Sequence, residues 1–141
     1  MKTFELTNED MELVAEAESV IKRLFTPDKH HVGAAIRTKE GKMISAVHIE
    51  AYIGRVTVCA EAIAIGKAIS EDEREFDTIV AVRHPQPDEV VQQLRVVSPC
   101  GMCRELISDY SPECYVILVV DGELVKTKIS ELLPLKYKRS K

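Results

Sequence analysis

The chain has 141 residues, of which 45% are hydrophobic and 30% charged, and its formal net charge is -4. These values are typical of one soluble globular domain over residues 1–141, and they argue against a protein that tracks a nucleic-acid backbone. The N-terminus lacks the apolar core of a signal peptide, and no apolar run approaches the ~20 residues that cross a bilayer, so we expect a cytoplasmic protein with no nucleic-acid or membrane partner.

Hydrophobic periodicity and turn signals predict nine elements. In chain order they are a helix at about 8–25, strands at 32–38 and 43–49, a helix at about 59–69, a strand at 78–82, a helix at about 100–110, strands at 114–120 and 124–127, and a short helix at 129–133. A long loop at 83–97 contains Pro85 and Pro87, and loops of this length are often functional. The order predicts an α/β protein whose mixed sheet carries helices on both faces.

Two local signals sharpen this outline. Thr7 and Asp10 have the spacing of a capping box at the start of the first helix. The run Gly33-Ala34-Ala35 is unusually small for a strand, which predicts that another element approaches the backbone closely there.

The chemistry is concentrated in two segments that each open a helix. They are Val58-Cys59-Ala60-Glu61 and Ser98-Pro99-Cys100-Gly101-Met102-Cys103. Cys59 and Cys100 fall at predicted helix N-termini, where free N–H groups favour the thiolate, and Cys103 lies one turn after Cys100. Three converging thiolates predict a zinc site.

A site with three protein ligands leaves one position open for water, which is the catalytic pattern for zinc. Zinc makes water a hydroxide source near neutral pH. Glu61, two residues after Cys59, is a candidate to accept the proton of that water and deliver it to a ring nitrogen and a departing amine. This combination of segments is typical of zinc-dependent deaminases.

Other interpretations of the four cysteines remain open at this point. Cys100 and Cys103 resemble a thiol–disulfide oxidoreductase pair at a helix start, although that leaves Cys59 and Glu61 unexplained. A non-catalytic zinc module needs a fourth ligand, for which Cys114 is the candidate. We expect Cys114 to be buried and inert, and Cys59 alone would suit a core position.

Over nearly the whole chain the sequence resembles the cytidine deaminases and their relatives, the blasticidin S deaminases. The resemblance rests on four segments: His31-Val32-Gly33-Ala34-Ala35, Thr57-Val58-Cys59-Ala60-Glu61, Ser98-Pro99-Cys100-Gly101-Met102-Cys103-Arg104 and Glu131-Leu132-Leu133-Pro134. It implies a three-layer α/β/α fold with a five-stranded mixed sheet. It also implies a zinc cofactor and a homotetramer whose active sites draw residues from neighbouring subunits.

The resemblance also implies roles for individual residues. Glu61 would bind N3 of a pyrimidine, the Ala60 N–H would meet its O2, and the Ser98 carbonyl would receive the amino group. His48 and Glu50 lie where cytidine deaminases carry an Asn-x-Glu pair that holds the sugar.

Three departures distinguish this chain from the cytidine deaminase pattern. His48 replaces the asparagine, His30 stands where an aromatic residue packs on the base, and Ala62 replaces an arginine. Three thiolates leave a zinc site with an excess negative charge, which raises the pKa of bound water unless a cation offsets it. Arg55 and Arg104 are the candidates for that charge compensation.

The sequence therefore predicts a zinc-dependent hydrolase of cyclic amidines that converts a cytosine nucleoside into its uracil counterpart and ammonia, as in pyrimidine salvage. Gly66, five residues after Glu61, and Ala62 also resemble blasticidin S deaminases. The alternative substrate is therefore an aminopyrimidine nucleoside antibiotic of that type, or another amino-heterocycle.

Overall fold

The computed structural model describes residues 1–140 and forms a sheet between two layers of helices. The helices are Asn8–Leu24 (α1), Ala60–Ser70 (α2) and Gly101–Tyr110 (α3). The strands are Val32–Thr38 (β1), Met43–Val47 (β2), Phe76–Arg83 (β3), Arg95–Val97 (β4), Tyr115–Val120 (β5) and Glu123–Lys128 (β6). Short 3₁₀ helices occupy Gly54–Val56 and Ile129–Leu132. No helix within residues 1–140 has both the length and the apolar character needed to cross a membrane.

The sheet confirms the predicted mixed α/β class, with strand order β2-β1-β3-β5-β6 and β4 paired to β3. Only β3 and β5 are parallel, and the other strand pairs are antiparallel. The expectation of five strands was one too few, because β4 lies in the segment expected to be a loop. β5 pairs with β3 only at Thr78 and Ile79, so β4 can pair with the other end of β3, at 81–83.

α1 packs against the middle of the sheet, and its start and its closest contact agree with the sequence. Thr7 and Asp10 form the predicted capping box. A Cβ atom on Gly33 would lie 2.8 Å from the backbone oxygen of Ala17 and 2.9 Å from the Cβ of Ile21. Both distances are shorter than real Cβ contacts, so only glycine lets α1 approach β1 this closely.

Alternation along the strands divides the core between the two faces of the sheet. In β1, Ala35 belongs to the cluster under α1, whereas Ala34 and Ile36 belong to the cluster on the other face with α2. Residues of α3 and the 3₁₀ helix at 129–132 complete this second cluster. The three-layer arrangement is thus confirmed, and it places α2 and α3 side by side.

A buried ion-pair cluster ties the start of α1 to the sheet. The Asp10 side chain is fully buried, and its carboxylate contacts Arg37 of β1 at 2.9 Å and Lys126 of β6 at 2.8 Å. Burial alone would raise the pKa of Asp10, but hydrogen bonds from Lys126, the Thr7 backbone and Arg37 outweigh it and hold that pKa below its ordinary value. We call these three charged residues the Asp10 cluster.

Candidate metal centre and adjoining site

The N-termini of α2 and α3 meet beside one another, and each is capped by a cysteine. Cys59 and Cys100 are the N-cap residues, and both have extended backbone conformations. β4 ends at Val97 and delivers the chain directly into the segment that precedes Cys100. The early N–H groups of both helices therefore point toward one region, as an anion or a thiolate requires.

Three thiols converge at this point. The Sγ atoms of Cys59 and Cys100 are 3.6 Å apart, and all three sulfur atoms of Cys59, Cys100 and Cys103 lie within 4.8 Å of one another. A tetrahedral zinc ion with Zn–S bonds of about 2.3 Å separates its sulfur ligands by about 3.8 Å. The number, chemistry and spacing of these thiols therefore fit zinc.

The three thiols occupy different electrostatic environments. Burial raises the pKa of Cys103 well above its ordinary range, and the nearby Glu61 carboxylate raises it further. Burial also raises the pKa of Cys59. Cys100 is the most exposed of the three, and although burial raises its pKa, hydrogen bonds from the Cys103 and Met102 backbone help lower it overall. Cys100 is therefore the one of these three thiols whose pKa is lowered.

Glu61 lies in the first turn of α2 with only 6% of its surface exposed. Burial raises the pKa of this carboxyl, against hydrogen bonds from its own backbone N–H and from Cys103. A carboxyl whose pKa is raised keeps its proton up to a pH nearer neutrality, which suits a group that both accepts and donates protons. The structure thus brings Glu61 to the thiol cluster.

His48 and Glu50 adjoin the thiol cluster through a short backbone bridge. Ile49 and Val58 exchange both backbone hydrogen bonds, at 2.9 and 3.0 Å. On one side of this bridge Glu50 lies next to Thr57, whose hydroxyl donates to the Glu50 carboxylate at 3.4 Å. On the other side, His48 directly precedes Ile49 and Cys59 directly follows Val58. The two predicted sugar-binding residues therefore border the predicted metal site.

The residues predicted to contact the base also surround the cysteines. Ala60 is fully buried in the first turn of α2, and Ser98 is exposed in the segment before Cys100. The Arg104 guanidinium donates to the carbonyl oxygens of Pro99 at 2.9 Å and Leu132 at 3.4 Å and to the Ser98 hydroxyl at 3.0 Å. These oxygen contacts direct Arg104 to the backbone around the cysteines. Arg55 is exposed in its 3₁₀ helix.

Cys114 lies apart from the cluster and is completely buried. Burial raises the pKa of its thiol to about 12, and the thiol donates to the Tyr115 carbonyl at 3.2 Å. Within residues 1–140 the structure therefore gathers three cysteines and leaves Cys114 in the core, so Cys114 does not complete a four-cysteine site.

Two neighbouring histidines were missed or left undecided from the sequence. The His31 ring lies edge-on to His48, with ring centroids 4.1 Å apart, and its buried Nδ1 has no hydrogen-bond partner among the described residues. His30 Nδ1 hydrogen-bonds to the His48 carbonyl at 2.9 Å. No local sequence signal distinguishes these roles, because both contacts are to His48, which reaches them only through the pairing of β1 with β2.

The family comparison agrees with this geometry. Residues 7–119 match the model of the cytidine and deoxycytidylate deaminase zinc-binding region. The chain is 66% identical to a blasticidin-S deaminase from Bacillus cereus over 140 residues, covering 99% of this chain and 100% of that protein. It is 31% identical over 125 residues to a cytidine deaminase from Halalkalibacterium halodurans, covering 86% and 89% of the two chains.

Solved structures give the same result. The cytidine deaminase from Burkholderia pseudomallei superimposes with a TM-score of 0.74 at 26% identity, covering 94% of this chain and all of that one. The cytidine deaminase from Bacillus anthracis has a TM-score of 0.76 at 22% identity, with 92% and 89% covered, which shows the shared fold.

The fold and the thiol cluster define a zinc-dependent hydrolytic deaminase. The chain belongs to the cytidine and deoxycytidylate deaminase family.

Proposed function

We propose that this protein removes the exocyclic amino group of the cytosine ring in blasticidin S and related nucleosides, with water as co-substrate and ammonia as co-product. The reaction rests on one observation, the convergence of Cys59, Cys100 and Cys103 beside the buried Glu61. The 66% identity to a blasticidin-S deaminase over essentially the full length of both chains supports the substrate.

In this proposal the thiolates of Cys59, Cys100 and Cys103 hold zinc. The bound zinc lowers the pKa of water so that hydroxide is available near neutral pH. The N-termini of α2 and α3 stabilise the negative charge of the thiolates through their free N–H groups.

Glu61 is the proton carrier. It accepts a proton from the attacking water and delivers it to the ring nitrogen beside the amino-bearing carbon. When the new C–O bond has formed, Glu61 takes the remaining proton of that oxygen and passes it to the departing amine. The C–N bond breaks, ammonia leaves, and the carboxylate returns to its starting state. Burial of Glu61, which raises its pKa, supports both directions of transfer.

The remaining contacts orient the ring. We propose that the Ala60 N–H donates to the ring carbonyl oxygen and that the Ser98 carbonyl accepts from the amino group. The fully buried position of Ala60, in the first turn where helix N–H groups lack intrahelical partners, supports the first contact. Arg104 supports the second, because its guanidinium donates to the Ser98 hydroxyl and to the Pro99 carbonyl and so holds this segment in place.

The test is a substrate panel of blasticidin S, cytidine, deoxycytidine and cytosine, followed by ultraviolet absorbance and ammonia release. The metal content of the same preparation is measured in parallel. We expect an equimolar amount of zinc and the highest kcat/KM for blasticidin S. A metal-free protein that exchanges disulfides would instead indicate an oxidoreductase that uses Cys100 and Cys103.

A second candidate is deamination of cytidine or deoxycytidine in pyrimidine salvage. The position of Glu50 favours it, because a partly exposed carboxylate beside the site can accept hydrogen bonds from sugar hydroxyls. The same panel separates the two, since salvage requires that cytidine or deoxycytidine be the better substrate.

We further propose that the chain acts in the cytoplasm as a homotetramer. Four apolar side chains around the loop between β2 and α2 are exposed, which supports burial of this loop between subunits: Ile49, Tyr52, Ile53 and Val56. Light scattering coupled to size-exclusion chromatography measures the assembly. A monomer at assay concentration would contradict it.

A further inference from the structure

The loop between β3 and β4, at residues 84–94, is folded around the carboxylate of Glu89. The Arg83 guanidinium, at the end of β3, donates to both oxygens of that carboxylate, with Nη1 2.9 Å from Oε1. Glu89 Oε2 also accepts from the Gln86 backbone N–H at 3.0 Å. The side-chain amide of Gln92 donates to the carbonyl oxygens of Gln86 at 2.9 Å and Glu89 at 2.7 Å. Glu89 therefore gives this loop a defined shape and ties it to the end of β3.

Glu89 also lies between two like charges. Arg83 is the antiparallel partner of Arg95 in β4. Side chains directly opposite one another in a sheet share a face, and like charges there destabilise the pairing. Hydrogen bonds from Arg83 and from the Gln86 backbone lower the pKa of Glu89 to about 2, and the charge of Arg95 contributes to this shift. Glu89 is therefore ionised at neutral pH and offsets the repulsion between the two arginines.

The strand that Glu89 helps to hold leads directly into the candidate active site. β4 has only three residues, and its last residue, Val97, pairs with Ala81 of β3. The next residue is Ser98, whose carbonyl we assign to the amino group of the substrate. On its other side this segment is held by Arg104, which donates to the Ser98 hydroxyl at 3.0 Å and to the Pro99 carbonyl at 2.9 Å. The position of the Ser98 carbonyl therefore depends on β4 as well as on Arg104.

We propose that the Arg83–Glu89 pair is a positioning device for the deamination: it fixes β4 and so holds the Ser98 carbonyl where it accepts from the amino group of the substrate. This inference rests on the proposed function and adds two positioning residues to it. Val96 and Val97 also hold β4, since they pack into the cores on opposite faces of the sheet. Apolar contacts are not directional, however, whereas a bidentate charged pair specifies geometry.

The test compares two ligands that differ at the amino group. They are the cytosine nucleoside that the zinc-loaded wild type converts best and its own deaminated product, which has the same sugar and an oxygen in place of the amino group. Glu89→Gln keeps the shape of the side chain and removes its charge. We expect kcat/KM for the substrate to fall by roughly 10-fold or more, because a misplaced substrate contact can cost about 10²-fold. The Kd of the product, which has no amino group to donate to Ser98, should change little, and so should the zinc content.

Two further variants separate positioning from general damage to the fold. Asp88→Asn is the matched control, because it removes an exposed carboxylate from the same loop, and it should behave as the wild type. Combining Arg83→Glu with Glu89→Arg should recover part of the lost kcat/KM, because it restores a charge pair and places a carboxylate opposite Arg95.

Three results would overturn the proposal: a kcat/KM in Glu89→Gln equal to that of Asp88→Asn, an equal loss of substrate turnover and product binding, or no recovery in the charge-reversed pair. Failure of the wild type on every cytosine substrate would instead contradict the proposed function.

Discussion

The sulfur atoms of Cys59 and Cys100 lie 3.6 Å apart although 41 positions separate the two residues along the chain. Each cysteine caps a helix, and the two helices lie side by side on one face of the sheet. The distance is close to that between two sulfur ligands of one zinc ion, so the fold places these two thiols where a single ion can be held.

Replacing Cys59, Cys100 or Cys103 with serine should deplete zinc and lower the free energy of unfolding. The reason is that metal bound to the native state alone adds its binding free energy to stability. Metal analysis and thermal unfolding measure the two effects. Cys114→Ser is the control, since Cys114 lies in the core away from the cluster, and this variant should retain zinc. Loss of zinc from Cys114→Ser would show that the site is closed by four cysteines.

Glu61→Gln should separate metal binding from catalysis. The amide keeps the shape of the side chain but cannot carry a proton between water and substrate. We expect zinc near the wild-type amount and a kcat that is lower by about 10²–10⁴-fold, the usual contribution of a positioned acid–base group. A variant that loses its zinc would assign Glu61 to the metal rather than to proton transfer.

Variants of Arg104 distinguish two functions of its side chain: compensation of the thiolate charge, and positioning of the backbone around the cysteines. Its guanidinium contacts three oxygens, on Ser98, Pro99 and Leu132, and Arg104→Lys keeps the charge but cannot make all three contacts. We expect Arg104→Lys to lose zinc faster to a chelator and to lose about 10–100-fold in activity, as when residues that support metal ligands are changed. A lysine variant that matches the wild type, beside a defective Arg104→Gln, would mean that the charge itself is what the site requires.

The sequence was sufficient where structure follows from local patterns. The apolar stripe and capping box of α1 predicted a helix that the structure has at Asn8–Leu24, and the small residues after Val32 predicted the close approach that Gly33 makes to Ala17. The two cysteine segments predicted a cluster because the free N–H groups at a helix N-terminus favour a thiolate in any fold.

The sequence was insufficient where an element depends on distant partners. β4 has only three residues, and its pairing exists because β5 leaves one end of β3 free. The hydrogen bonds that His48 Nδ1 accepts depend on backbone N–H groups at residues 31 and 32, which only the β1–β2 pairing brings into contact. Arg104 likewise finds Leu132 through the packing of α3 on the C-terminal 3₁₀ helix.

Asp10→Asn should destabilise the fold at neutral pH, because it leaves Arg37 and Lys126 without their shared buried partner. Breaking such a pair typically reduces the free energy of unfolding by ~3–5 kcal/mol. The pKa of Asp10 is lowered in the folded state, so its stabilising effect is complete well above the ordinary value of 3.8 and is lost as pH falls through the lower folded pKa. Chemical denaturation of both proteins at neutral and strongly acidic pH measures this difference, which should shrink in acid.

Glu12→Gln, at an exposed position of α1, is the control and should change little. A constant difference at all pH values would exclude ionisation of Asp10 as the cause.

The most direct test of the account is the origin of the oxygen that replaces the amino group. The zinc-loaded protein is incubated with blasticidin S in water enriched in heavy oxygen, and product and ammonia are measured together by mass spectrometry and an ammonia assay. We predict one heavy oxygen atom per product molecule and an equal amount of ammonia, with both formed about 10²–10⁴-fold more slowly by Glu61→Gln. Release of ammonia without heavy oxygen in the product, or wild-type turnover by Glu61→Gln, would contradict hydrolytic deamination at this site.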